Sequence, residues 1–386
     1  MCECKYSPLK ENVEEMFIGP FGSALKNECF VNENEAYCMV YEQKHAIQKT
    51  MDVETRYINE QKYNELKRFN IRGGDIIVSC RGTIGETFIV PDDAPLGIMH
   101  SSIMKIRLKQ GIYDKYYFNL LLKSRLKKHA IEANGSGIKM AISATELGKE
   151  LFPVPSMDKQ LTITNVISKI SKIVELRKKE MFALDELIRA RFVELFECGD
   201  HEIVKASDVC DFITKGTTPP TGEITEEYEN GKIPFLKVYN LSFTGEMLFD
   251  ENPQYILAET HNGKLARSKV YPNDVLMNIV GPPLGKFTLV TDEFEEWNIN
   301  QAIAIFRAKE RILPRFLLHA LMQPKVLEPF IGQAVGIRQQ NLSLEQCRNL
   351  QFPLPSLEEQ KSFVEFAEQL DKSKVILPKS SFNVII

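Results

Sequence analysis

The chain is written twice. Phe152-Pro153-Val154-Pro155-Ser156-Met157-Asp158-Lys159-Gln160 matches Phe352-Pro353-Leu354-Pro355-Ser356-Leu357-Glu358-Glu359-Gln360 at an offset of 200 residues, without a gap. At the same offset Ile103-Met104-Lys105-Ile106-Arg107 aligns with Ile303-Ala304-Ile305-Phe306-Arg307. Upstream, Gly74-Asp75-Ile76-Ile77 corresponds to Asn273-Asp274-Val275-Leu276, and Gly82-Thr83-Ile84-Gly85 to Gly281-Pro282-Pro283-Leu284-Gly285. Gly137-Ile138-Lys139 corresponds to Gly336-Ile337-Arg338. A period this long is not that of a solenoid, so the repeat is a duplicated domain plus a linker, which a chain of 386 residues can hold. The halves agree at turn glycines, apolar runs and the Pro-x-Pro joint. Their opening stretches, 1–70 and 202–270, agree poorly. One scaffold with divergent segments implies one task aimed at two targets.

Within each half, short strand signals are punctuated by Gly, Pro and Asn. Residues 75–79 and 87–90 read as buried strands about a glycine turn, and Ile233-Pro234-Phe235-Leu236-Lys237-Val238-Tyr239 as a further strand. Helical spacing predicts helices over 116–130 and 314–322. Pro153 and Pro155 are expected to close the first globular part. Residues 157–196 then contain neither Pro nor Gly, and Ile163, Val166, Ile170 and Ile173 fall three and four apart, followed by Leu184, Leu187, Ile188, Phe192 and Leu195. That is coiled-coil spacing over a length of roughly 60 Å. After the second joint, 357–376 repeats the start of this helix. A long apolar stripe needs a partner, and the simplest pairing is between these two helices, antiparallel.

The net charge of −4 is awkward for phosphate binding. Between 105 and 139, however, Lys105, Arg107, Lys109, Lys115, Lys123, Arg125, Lys127, Lys128 and Lys139 face only Asp114 and Glu132. In the matching stretch Arg307, Lys309, Arg311, Arg315, Lys325 and Arg338 face Glu310 and Glu328. Such recurrence suggests a basic stripe on each half, suited to a nucleic-acid backbone.

Chemistry is hard to find. Gly281-Pro282-Pro283-Leu284-Gly285-Lys286-Phe287 is one residue short of a phosphate loop and lacks its Ser or Thr, so it reads as a strand–turn–strand joint. Phe17-Ile18-Gly19-Pro20-Phe21-Gly22 has the wrong glycine spacing for a cofactor loop, and Asn252-Pro253-Gln254-Tyr255 the wrong third residue for a methyltransferase motif. The 6 histidines show no metal spacing, and the 8 cysteines form no C-x-x-C pair and suit reduced thiols. No signal peptide or membrane span is expected, which favours a cytoplasmic protein.

Phe212-Ile213-Thr214-Lys215-Gly216-Thr217-Thr218-Pro219, Gly231-Lys232-Ile233-Pro234-Phe235-Leu236-Lys237-Val238, Asp274-Val275-Leu276-Met277, Trp297-Asn298-Ile299-Asn300-Gln301 and the two Pro-x-Pro joints occur in this order. Together with the long helix they resemble the specificity subunits of type I restriction-modification enzymes. The resemblance implies an α+β fold: two similar target-recognition domains of mixed strands and helices, separated by long helices in an antiparallel coiled coil, with pseudo-twofold internal symmetry. The boundaries would be 1–155 and 199–355 for the domains, 156–198 and 356–377 for the spacer helices, and 378–386 for a tail.

The resemblance further implies a non-catalytic subunit that reads a split site on double-stranded DNA. Two methyltransferase subunits would dock on the helices and restriction (translocase) subunits would join them. Cofactors would be absent from this chain, with S-adenosylmethionine, ATP and Mg used by the partners. Candidate DNA contacts in the first half are Lys26, Arg56, Tyr57, Lys62, Arg72, Arg81 and Lys139. In the second half they are Lys215, Thr217, Thr218, Lys237, Tyr239, Asn240, Lys286, Arg338 and Gln339. The alternatives are a protein–protein scaffold with no DNA readout and, less favoured by the missing motifs, a lone DNA-modifying enzyme.

Overall fold

The computed structural model describes residues 5–81, 83–134, 143–229, 231–281, 283–331 and 341–374. The chain divides into two compact units, 1–173 and 174–386, and the division falls inside the long helix.

In the first unit, Ile76–Ser79 is flanked by Thr87–Ile89 and Ile103–Leu108, and Val13–Ile18 completes an antiparallel four-stranded sheet. Ile76, Ile77 and Val78 are fully buried, as expected of a β-branched run packed on both faces. A second sheet orders Arg56–Ile58, Cys38–Tyr41, Gly97–Met99 and Asn70–Ile71, with Cys38–Tyr41 parallel to Gly97–Met99. The second unit repeats both sheets. Cys210–Lys215, Ile303–Ala308, Val275–Asn278 and Phe287–Leu289 form the first. Ile224–Thr225, Tyr255–Leu257, Lys232–Leu236, Trp297–Ile299 and Lys269–Val270 form the other, with Lys232–Leu236 parallel to Trp297–Ile299. The expected strand over 233–239 ends early, because Val238–Asn240 turns into a 3₁₀ helix.

Two residues that match in sequence explain part of the repeat. The Arg107 guanidinium donates to both oxygens of Asp75 (2.7 and 2.6 Å), and Arg307 does the same to Asp274 (2.8 and 2.7 Å). Both carboxylates are almost wholly buried.

The Pro-x-Pro segments are not mere breaks. Leu151–Val154 pairs antiparallel with Lys5–Pro8, placing Pro153 opposite Tyr6, and Gln351–Leu354 pairs likewise with Glu202–Lys205. A two-stranded ribbon has only edge strands, where a proline lacking its N–H is tolerated.

The helices agree with the spacing. Lys115–Asn134 is capped by Asp114, whose Oδ1 accepts from the Tyr116 and Tyr117 N–H groups (3.1 and 2.8 Å). Pro314–Leu321 opens on a proline, suited to the first helical position. The central helix spans Met157–Phe192 and closes through the wider turn Val193–Glu197, and the distal helix spans Leu357–Lys374. In the second unit the distal helix packs antiparallel on the end of the central one. Phe363 meets Phe192 and Phe196 at ring distances of 5.4 and 5.6 Å, and Lys374 pairs with Asp185 at 2.5 Å. This covers less of the central helix than the spacing suggests, for Leu161, Ile163, Val166, Ile170, Ile173 and Leu176 are exposed.

Each helix is tied to its unit by one buried glutamine. Gln160 Oε1 accepts from the Asp114 N–H (2.8 Å), while its Nε2 donates to the carbonyls of Ile112 (2.8 Å) and Pro155 (2.9 Å). Gln360 repeats the pattern with the Leu313 N–H (2.8 Å) and the carbonyls of Arg311 (3.1 Å) and Pro355 (2.9 Å). Leucine in place of Gln360 would leave three backbone groups without partners, so Gln360→Leu is expected to cost on the order of 3 kcal/mol in urea denaturation.

Burial holds the His319 imidazole down at about 4, and Arg315 adds to the depression. A histidine kept neutral in the fold binds its proton less readily than in the unfolded chain. Its stability contribution is therefore complete above the unfolded value of about 6.5 and is lost as pH falls toward 4. The expected loss from this residue is roughly 2–4 kcal/mol across that window. His319→Leu should flatten this part of the profile when denaturation is repeated at stepped pH.

Candidate nucleic-acid interface

In each unit, one end of the sheets gathers loops through backbone contacts that leave no room for a side chain. The Gly19 N–H donates to the Ile103 carbonyl at 3.0 Å, and a Cβ on Gly19 would lie 2.2 Å from the His100 carbonyl oxygen. Gly216 donates to Ile303 at 3.0 Å, and its Cβ would lie 2.1 Å from the Asn300 carbonyl oxygen. The His100 N–H reaches the Tyr41 carbonyl (2.9 Å), and the Asn300 N–H the Leu236 carbonyl (3.1 Å). The ends of the two parallel strands thus meet the loops that begin at Gly19 and Gly216.

The turn after the central strand is held at the same end. Ser79 Oγ donates to the Thr83 carbonyl (2.6 Å) and accepts from the Glu86 N–H (2.9 Å). In the second unit Asn278 takes both roles, donating to the Pro283 carbonyl (2.9 Å) and accepting from the Lys286 N–H (2.7 Å). Gly85 and Gly285 supply the left-handed turn residue at φ 91° and 94°. The stretch that superficially resembles a phosphate loop is therefore the expected strand–turn–strand joint.

Several candidate residues converge here. In the first unit Arg81 is exposed just after the strand Ile76–Ser79. Arg56 pairs with the Glu42 carboxylate and lies 4.1 Å from the centre of the Phe30 ring. Burial would raise the Glu42 pKa, but hydrogen bonds from Arg56 and Lys44 outweigh it and hold the carboxyl below its ordinary value. Burial also lowers the pKa of His100; the nearby Glu42 carboxylate opposes the shift, and the charges of Arg56 and Arg81 add to it. Tyr57 faces Glu33 Oε1 at 3.4 Å, and Lys26 is exposed 3.9 Å from Glu28; Lys62, which pairs with Glu65 at 2.8 Å, lies on the helix that follows Ile58 at the other end of this sheet.

In the second unit Lys215 and Thr218 are exposed, and Thr217 Oγ1 accepts from Arg267 Nε at 3.1 Å. Lys237 is half-buried, Tyr239 is exposed, and Lys286 Nζ stands 5.7 Å from the Phe243 ring centre.

Other expectations change. Asn240 is fully buried; its Oδ1 accepts from the Lys237 N–H (2.9 Å) and its Nδ2 donates to the carbonyls of Leu248 (3.2 Å) and Asn252 (3.4 Å). It braces a loop and does not face a ligand. Arg72 precedes the strand Ile76–Ser79 and lies at the opposite end from Arg81. Lys139, Arg338 and Gln339 lie outside the described residues.

Much of the basic stripe is spent on internal pairing. Lys105 is fully buried against Glu15 (2.5 Å) and the Asn70 carbonyl (2.8 Å), and Arg107 is taken by Asp75. Lys109 donates to the Glu11 carbonyl (2.7 Å) and Lys115 to Asp92 (2.7 Å). In the second unit Arg307, Arg311, Arg315 and Lys325 pair with Asp274, Glu202, Asp371 and Glu197. The recurrence of these cations reports a shared framework. His100, Arg267 and Phe243 are not visible in the sequence because no spacing marks them; only the sheet ends bring them to the loops.

Among the described residues, no group of three or more His, Cys, Asp or Glu is placed to hold a metal, and no helix is long and apolar enough to cross a membrane.

The family model for the type I restriction modification DNA specificity domain matches residues 11–184 and again 199–385. The chain belongs to the specificity subunits of type I restriction-modification systems. The EcoBI specificity subunit of Escherichia coli is 24% identical over 323 residues, covering 77% of this chain and 66% of its own length. The MjaVIII specificity subunit of Methanocaldococcus jannaschii is 24% identical over 332 residues, covering 79% of this chain and 74% of its own length. The match thus spans just under two thirds of the first relative and about three quarters of the second.

The fold is shared with a solved chain from a study of assembly and conformational transition in a type I R-M system, with a TM-score of 0.56 and 17% identity over 99% of this chain and 93% of that one. It is shared also with the S subunit from M. genitalium, with a TM-score of 0.50 and 15% identity over 97% and 91%. Specificity subunits are in general not catalytic, and the family match does not favour a scaffold without DNA readout.

If the gathered loop end meets phosphate, exposed and paired cations should respond differently to mutation. Arg81→Ala is expected to lower the salt slope of duplex binding by about one. Arg107→Ala should leave that slope unchanged and cost about 3–5 kcal/mol of stability, since Asp75 would be left charged and buried. Salt titrations beside urea denaturation separate the two.

Proposed function

We propose that this specificity subunit reads a split DNA site, each unit contacting one half through its gathered loop end. The observation that carries this reading is the duplicated loop end on one framework with different side chains. Gly19 and Gly216 hold the same backbone contact, and the next two residues are Pro20-Phe21 in one unit and Thr217-Thr218 in the other. A fixed scaffold with variable tips lets backbone contacts position the duplex while the divergent side chains meet base edges. Because the two sets differ, the two half-sites differ, and the whole site is asymmetric.

The uncovered stripe on the central helix, Leu161 to Leu176, is where we place the docking of two methyltransferase subunits. Restriction subunits would join that core, and the assembly would work in the cytoplasm. Methyl transfer from S-adenosylmethionine and ATP-driven cleavage with Mg would belong to those partners, since this chain offers a reading surface and a docking face. Linking two weak readers makes the second contact intramolecular, so affinity rises steeply only where the half-site spacing fits.

Two experiments test this. In cells carrying the complete system, methylome sequencing should return a two-part motif. Removing seven helix residues outside that stripe, Arg177 to Ala183, shortens the helix by about 10 Å, or about three base pairs. The gap in the motif should change while the bases of both halves stay; altered half-site bases would refute the spacer role. Ile170→Asp together with Ile173→Asp should leave the folded chain intact and abolish its co-purification with methyltransferase subunits.

A further inference from the structure

Resting on the DNA-reading role, we propose that Phe21 is a base-contacting wedge that gives the first unit part of its sequence preference. At 88% exposure it is the most exposed large apolar side chain among the described residues. A lone exposed apolar residue is ordinary on a protein surface. This one is distinguished by how rigidly it is offered and by its neighbours.

The loop that carries it is fastened on both sides. Before it, Gly19 is seated against the turn at His100 and Pro20 is buried. After it, the Ala24 N–H donates to the Phe21 carbonyl at 2.8 Å, and Leu25 is buried with Cys38, Val40 and Ile58. The ring therefore stands on a short arch whose feet are set in the core.

The surroundings name the occupant. Lys26 is exposed at the end of the arch, 3.9 Å from the Glu28 carboxylate, and Arg81 is exposed on the turn gathered at the same sheet end. Cations around a protruding apolar side chain suit a polyanion whose interior is stacked and apolar. DNA offers such an interior to a wedge between base steps, and a thymine methyl to a ring in the groove. At the corresponding place after Gly216 the second unit exposes Thr218. One unit thus presents a flat apolar ring and the other a hydroxyl, a difference that would discriminate bases while leaving the scaffold unchanged.

The test uses the full chain in complex with its modification subunits and a pool of random-sequence duplexes, from which bound molecules are selected and sequenced. Phe21→Ala should remove the preference at one base step of one half-site and weaken binding of the wild-type motif by about 5- to 100-fold. The other half-site, the salt slope and the thermal unfolding should not change. Phe21→Trp supplies a direct reporter, since the chain has 1 tryptophan and that residue, Trp297, is fully buried. Its added emission should be quenched by the selected duplex and not by a duplex mutated at that step.

An unaltered motif and affinity in the alanine variant would overturn the proposal. So would loss of modification-subunit association instead of base preference, which would make the ring a protein contact. Failure of the wild-type complex to select any motif would remove the DNA-reading role itself, an outcome distinct from either.

Discussion

A single fully satisfied amide joins helix to sheet in each half of this subunit. An amide offers two donors and a two-lone-pair acceptor, and burying it is costly unless these are matched. Gln160 and Gln360 each match both donors to carbonyls and the acceptor to an N–H, with no exposure to water. Each ties together the loop before a helix, the end of the Pro-x-Pro strand and the first turn of a long helix. Aliphatic packing tolerates sliding; three directional bonds from one side chain do not. The start of each spacer helix is thereby fixed in angle and rotation against its own unit, which a loop of free torsions could not achieve.

Duplication then lets framework and variable positions be separated without any relative in hand. Asp75 with Arg107 and Asp274 with Arg307 keep the same pairing. The surroundings of the pair have diverged. Arg107 also meets Glu15 at 2.8 Å, with Lys105 buried nearby, whereas Arg307 lies 5.2 Å from the Phe212 ring centre and 4.7 Å from that of Tyr271. A guanidinium can be satisfied by carboxylates or by aromatic faces, so the same backbone is reached through different chemistry. The turn held by Ser79 in one unit and Asn278 in the other shows the same freedom. Such substitutions explain why the two copies match only at scattered positions even where their strands pair in the same order.

The repeat, the long helices and the buried strands were legible because they rest on periodicity, which is local. The docking of the distal helix was legible only in part. Spacing shows that a stripe exists, but not how far a partner extends along it, and here the described contacts stop at Asp185. Charge was the most misleading signal. Counting lysines and arginines along a segment cannot show that Lys105 is buried on Glu15 or that Arg307 is committed to Asp274, since those partners lie 90 and 33 residues away. Asn240 misled for a related reason: a polar residue in a variable segment looks like a reader until its amide is found holding two carbonyls. Phe21 is hidden in the sequence because its flanking glycines look like a failed cofactor loop, whereas Gly19 serves to let the backbone press against a neighbouring turn.

The pairing of Lys5–Pro8 with Leu151–Val154, and of Glu202–Lys205 with Gln351–Leu354, brings the two ends of each unit side by side. A folded module whose termini are neighbours is joined to the rest of its chain at one place only. It can be cut out and replaced as a cassette, or its own chain order can be rotated, provided that the short ribbon and the buried glutamine contact at its foot are re-formed.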